Sequence, residues 1–358
     1  MKSRKGLLVI AVLLILAVVV FTNRGRVHFD WAMFWLQLRH IAWIHIAAGI
    51  ALIYSTYILR AFRWSIFLGP TKKVSPFIIL GPQFIGFTAV SLFGRLADLI
   101  RPALIAKRVQ LSVSSQVAVY TIERMFDLGA AAIIFSSALL FAPPGLPHRE
   151  IFIHTGVISL ALTAFIAVFA VIIRAAGEAV ATAVHATLRP LSPSLAESVA
   201  DKIRGFRHGL NAISSARDFL IATLISLVMW GFIGYAYVQT LHAFVDTPEL
   251  ATISFSRTML LMGASLGGSM LQLPIIGWFT QIAITAAAMH EFYGAPIEAA
   301  TACGALLFAV TWLAIIPAGL IAARLNHVSL KSAAAEANVA TEPGETSGHS
   351  AAANSGGG

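Results

Sequence analysis

The sequence predicts an all-α fold: a polytopic helical membrane protein with about six full spans plus two broken or re-entrant helical hairpins. Composition is the first observation behind this. Of 358 residues 58% are hydrophobic and only 11% charged, against about 25% charged in soluble domains. Mean hydropathy, at +0.81, is the second. The third is the pattern: apolar stretches of span length alternate with clusters of Lys and Arg, and two further apolar stretches are interrupted by Gly and Pro. The formal charge of +9 is not a nucleic-acid signal, because the basic residues are scattered between apolar segments. A single cysteine, Cys303, excludes an internal disulfide and a Cys-based zinc site.

Lys2, Arg4 and Lys5 precede an apolar run over 6–21 with no small-x-small cleavage site behind it, so the reading is an uncleaved first span. Trp31, Phe34, Trp35 and Leu38 then fall at helical spacing behind Asp30, a candidate N-cap, and predict an amphipathic helix in the membrane interface. The second span covers 41–59. His45 within it reads as a packing residue, since no second metal-type side chain lies one turn away. Arg60, Arg63 and Trp64 close that span, and with Lys72 and Lys73 they mark a cytoplasmic loop; snorkelling and headgroup contact are both open for them.

Over 77–93 the chain is apolar but carries Gly81-Pro82 and Gly86, and after Gly94 a second piece, 96–106, carries Asp98 and Arg101-Pro102. Neither piece reaches the roughly 20 residues a span needs. A hairpin that dips in from the cytoplasm and returns fits this pattern, as do two thin, tilted crossings. The next spans are 111–141 and 151–173, separated by Pro143-Pro144-Gly145 and Pro147; His154 reads as interfacial.

The insertion 174–218 holds the densest basic region and should be cytoplasmic. Ser194 with Glu197 matches a capping box, and Leu195, Val199, Ile203, Phe206, Leu210 and Ile213 keep a helical stripe, which predicts a basic amphipathic helix on the inner leaflet. After a span at 219–241, pieces 259–273 and 275–289 repeat the interrupted pattern around Pro274 and Gly277, with Gln272 and Gln281 near the break. Close helix packing by small residues is the plainer reading there. The last span is 299–323, and the aromatic-free segment 332–358 reads as a disordered tail behind a single transmembrane domain, 1–331. The basic clusters place both termini in the cytoplasm, in an inner (plasma) membrane.

The stretch 92–127 stands out. Arg95, Arg101 and Arg124 share it with Asp98, Glu123 and Asp127. A charge at bilayer depth costs about 2.5–3.5 kcal/mol even on lenient insertion scales. The formal sum is zero, and Arg95, Asp98 and Arg101 step by three while Glu123 and Asp127 step by four, so each set shares a helix face. Two readings stay open: structural glue between helices, or a polar site inside the membrane for an anionic or amphiphilic substrate.

Gly94-Arg95-Leu96-Ala97-Asp98-Leu99-Ile100-Arg101-Pro102 resembles the P-G-R-x-G-E-x-x-R signature of the lysylphosphatidylglycerol synthase transmembrane-region (flippase-like) family. Glu123-Arg124-Met125-Phe126-Asp127 is similar to its E-R-x-x-D motif, in the family's order and at about its spacing. Arg60-Ala61-Phe62-Arg63-Trp64 looks like its R-A-x-R-W, and Leu271-Gln272-Leu273-Pro274-Ile275-Ile276-Gly277 resembles its second proline-glycine region. Departures are Phe93 in place of proline, Asp98 in place of glutamate, and Gln281 where an acid is usual. The resemblance implies a lipid translocase-like protein whose Arg95, Arg101 and Arg124 hold an anionic headgroup, oriented by Asp98, Glu123 and Asp127. Arg60, Arg63 and Trp64 would attract headgroups, and Gln272, Pro274, Gly277 and Gln281 would line the second break.

No Walker motif, HExxH or Gly-x-Ser-x-Gly occurs, and the expectation is a protein without cofactor or catalytic residues. The family's best-known members fuse this region to a soluble aminoacyl-transferase domain; lysine transfer onto a lipid is not expected of this chain. The expected partners are membrane lipids of anionic phospholipid or polyprenyl-phosphate type, not nucleic acid. A non-transporting scaffold or regulator of a lipid-synthesis enzyme is the alternative.

Overall fold

The computed structural model describes residues 29–94, 97–141, 149–190, 192–210, 215–268 and 276–328. Among these every regular element is helical. The expected first span, the proline-rich loop after the third span, the tail 332–358, and the site candidates Arg95, Gln272 and Pro274 lie outside the described residues.

Helix α1 (Trp31–Arg39) begins where Asp30 accepts from the backbone N–H groups of Ala32 and Met33 at 2.8 and 3.2 Å, as the sequence predicts. Its Trp31 and Trp35 are exposed while Phe34 and Leu38 rest on the core. Helix α2 (Trp43–Leu68) runs nine residues beyond the expected end of the second span at Leu59. Arg60, Arg63 and Trp64 are therefore helical and buried rather than part of a loop. The reason is physical: partners on a neighbouring helix accept their polar groups, so burial does not strand a charge.

Helix α3 (Pro76–Phe93) starts with Pro76 in the first turn and carries Pro82 without breaking. At 18 residues it is about 27 Å long, close to the thickness of a hydrocarbon core. It stops at Gly94, whose φ of 75° suits only a residue without Cβ. Helix α4 (Ile100–Val109) packs back on α3 and ends at Gln110 in the left-handed region. Helix α5 (Val113–Leu140) is capped by Ser112.

Helix α6 (Arg149–Leu188) does not end at 173 but continues for 40 residues in all, bending at Ala176. Helix α7 (Pro193–Leu210) folds back on its second half, and Ala181, Ala196 and Ala200 form the contact. Ser192, not Ser194, supplies the cap: its Oγ accepts from Leu195 N–H at 3.4 Å, and Pro193 takes the first helical position. The packed face is correspondingly rotated, leaving Leu195 exposed.

Helix α8 (Ala216–His242), the short α9 (Pro248–Ala251), α10 (Phe255–Gly268), α11 (Ile276–Tyr293) and α12 (Ile297–Leu325) complete the chain. A π turn at Ala309–Leu313 interrupts α12. Carbonyls in and just after it accept from hydroxyls of neighbouring helices: Tyr54 to Ala314 (2.6 Å), Ser91 to Trp312 (2.9 Å) and Thr88 to Ile315 (3.2 Å). Gly319 makes the contact possible, since a Cβ there would overlap Thr88.

Among the described residues four helices are long and apolar enough to cross a membrane: α2, α3, α8 and α12. Helix α3 is thus of span character, although its sequence reads as one arm of a broken hairpin. Helix α5 has the length but carries Glu123, Arg124 and Asp127 midway. The largest apolar core joins α2, α8, α10, α11 and α12. A second, around Phe67, Ile79, Ile105 and Val119, joins α2, α3, α4 and α5 and encloses the charged residues.

Candidate functional site

Three helices bring the charges together. On α2, Arg60 and Arg63 lie three residues apart and project from one face. On α5, Glu123 and Asp127 lie one turn apart and face them. From α4 comes Arg101, pressed against Gly86 of α3 so closely that a Cβ at position 86 would collide with its side chain and backbone.

Glu123 is the hub. Its Oε1 accepts from Arg63 Nη2 at 3.1 Å and Arg101 Nη1 at 3.2 Å, with Arg60 Nη1 at 3.5 Å; Oε2 lies 2.5 Å from Arg101 Nη2. Asp127 accepts from Arg60 Nη1 at 2.8 Å and lies 2.7 Å from Arg63 Nη2. Neutral groups fix the remaining donors: Ser226 on α8 accepts from Arg63 Nη1 at 2.6 Å, and Gln83 on α3 from Arg101 Nη1 at 3.0 Å. Trp64 does not reach the carboxylates; its indole N–H donates to Gln116 at 3.0 Å. The Arg101 guanidinium is boxed by the rings of Phe87, Trp64 and Tyr120, at 4.6, 5.0 and 5.2 Å from their centroids.

The unit is dry. Arg63 and Glu123 have side chains 0% and 1% exposed. Charges so far from water hold together only because each guanidinium meets carboxylate oxygen. Satisfaction is incomplete, however: the buried Arg63 Nε, Gln83 Nε2 and Arg124 Nε have no hydrogen-bond partner. The balance is uneven as well. Three buried guanidinia face two carboxylates, which leaves one positive charge in excess within this unit.

The membership differs from the zero-sum set that the sequence suggests. Arg60 and Arg63, which the sequence puts at the end of a span, meet both acids directly. Arg124 stands at the rim, 3.8 Å from Asp127 and 4.9 Å from the Tyr120 ring, with 37% of its side chain exposed. Asp98 is half-buried beside the Tyr120 hydroxyl. Gln83, Gly86, Tyr120 and Ser226 belong to the site but give little sign of it in the sequence. A lone glutamine inside an apolar helix was the one available signal, for Gln83 and Gln116.

At the second interruption Gly277 is buried, and Gln281 donates to Ser265 at 3.2 Å. Ser265 also accepts from Tyr237 at 3.1 Å, so α8, α10 and α11 share a neutral polar knot remote from the arginines. Remoteness follows from α8, where Ser226 and Tyr237 are eleven residues, about 17 Å, apart. His45 is satisfied by Gln239 at 2.6 Å, as a packing residue should be. No group of three or more His, Cys, Asp and Glu that could hold a metal ion occurs among the described residues.

A family model described as "Lysylphosphatidylglycerol synthase TM region" matches residues 8–319, most of the chain. No curated protein and no solved structure matches.

Proposed function

The chain belongs to the lysylphosphatidylglycerol synthase TM region family, a multi-pass membrane family of lipid metabolism or translocation, and from that premise we propose that it binds an anionic or amphiphilic lipid at the arginine cluster and moves it between leaflets. The observation that carries this reading is the excess guanidinium. A helix-packing device needs equal numbers of charges, because an uncompensated buried cation is costly. An anion arriving from the membrane would complete the balance. In this reading both termini are cytoplasmic in an inner membrane, about six spans cross fully, and α3–α4 and α10–α11 form the two interrupted hairpins around the path. It performs no covalent chemistry.

The second reading is a non-transporting scaffold or regulator of a lipid-synthesis enzyme. What favours it is the dryness of Arg63, Arg101 and Glu123, which suits a strut. Reconstitution separates the two. Proteoliposomes carrying labelled phospholipids or polyprenyl-phosphate lipids should show flipping that Glu123→Gln abolishes in folded protein. Absence of flipping for every lipid, with stable co-purification of a lipid synthase, would favour the scaffold.

A further inference from the structure

Arg124 differs from the other arginines of the cluster in its exposure and in its distance from the acids. The side chains of Arg60, Arg63 and Arg101 are at most 9% exposed, and each meets carboxylate oxygen at 2.8 Å or less. Arg124 is 37% exposed, its nearest carboxylate contact is 3.8 Å, and its Nε is enclosed without a hydrogen-bond partner. It lies eleven residues, about 17 Å, into α5; with α5 read as a span, its stem would not reach the headgroup layer. A guanidinium open to its surroundings at that depth faces either hydrocarbon, which is costly, or a polar ligand.

Its surroundings are already arranged. Tyr120, one turn back on α5, places its ring 4.9 Å under the Arg124 guanidinium. The Tyr120 hydroxyl is in turn engaged by Asp98. The ring contact restrains a guanidinium that keeps more than a third of its side chain exposed, and a guanidinium fork suits two oxygens of one phosphate.

Resting on the lipid-binding reading above, we propose that Arg124, against the Tyr120 ring, is the residue that contacts the phosphate group of the ligand, and that Arg60, Arg63 and Arg101 contribute their excess positive charge to the site without touching the ligand. The ligand class is a phosphate ester, presented either by a lipid headgroup or by a soluble phosphate.

The full chain in phosphatidylcholine nanodiscs tests this, with spin-labelled phosphatidylglycerol as the phosphate-bearing probe and spin-labelled diacylglycerol as the probe without phosphate. Wild type should hold the first in preference to the second. Arg124→Gln should weaken that preference about tenfold, the loss of one charge-assisted contact, with an unchanged unfolding temperature. Arg124→Lys should fall between, keeping charge but losing the fork. Tyr120→Leu should weaken it less, by removing the ring contact. Displacement of the lipid by inorganic phosphate would support phosphate recognition from a soluble source; no displacement would support the lipid headgroup. Wild-type preference in Arg124→Gln would overturn the assignment and leave the lipid reading standing. A lowered unfolding temperature in that variant would make Arg124 a strut and overturn it equally. Failure of the wild type to distinguish the probes would overturn both.

Discussion

Arg63 of α2 and Glu123 of α5 meet at 3.1 Å with almost no exposed surface on either side chain. Sixty residues separate them in sequence, and the contact ties the second span to the helix that carries both acids of the cluster. Its energetic character is asymmetric. Forming the pair from two hydrated charges gains little, whereas removing one partner strands the other.

Glu123→Gln therefore removes the charge that three arginines share. The expected loss is about 3–5 kcal/mol, the range for breaking a buried pair. Unfolding by SDS titration in mixed micelles measures it, and a loss below about 1 kcal/mol would place the cluster in a wetter setting than the structure does.

Ser226→Ala is milder. It deletes the acceptor of Arg63 Nη1 without disturbing either carboxylate. A cost of about 1–3 kcal/mol is expected for the unsatisfied donor, by the same titration.

Two glycines give opposite outcomes. Gly86→Ala drives a methyl group into Arg101 and should cost about 1–3 kcal/mol as overpacking. Gly231→Ala on α8 meets nothing within 4 Å. It should stabilise by about 0.5–1 kcal/mol through helix propensity.

Cys303 on α12 has no exposed surface. Folded protein should resist maleimide labelling, and the thiol should become reactive along the same denaturant transition that separates α2 from α5. Rapid labelling of the native state would contradict the packing of α12 against α11.

The membrane fold was legible because hydrophobicity is read over long windows and needs no partner. The N-cap at Asp30 and the break at Gly94 were legible for a similar reason, since each is decided by its own few residues. The site was legible only in part. Glu123, Asp127 and Arg101 announce themselves as charges inside apolar runs. Arg60 and Arg63 are candidates only through the R-A-x-R-W resemblance, because arginines at the end of a span ordinarily snorkel; what buries them is the acid pair on α5, which the local pattern does not reveal. Ser226 has no signal at all, being an ordinary small polar residue until Arg63 is placed against it. The cap at Ser192 is hidden for a narrower cause: Ser194 with Glu197 matches the capping box, which Ser192 with Leu195 does not, yet Pro193 suits the first helical position and makes Ser192 the cap.

The central claim is that α2 and α5 are joined by one interdependent charged unit, and a double-mutant cycle on Arg63→Gln and Glu123→Gln tests it most directly. With unfolding free energies from SDS titration, the double variant should lose at least about 1 kcal/mol less than the sum of the single losses, because each single change strands a charge that the double change removes. Additive losses, agreeing within about 0.3–0.5 kcal/mol, would contradict the account.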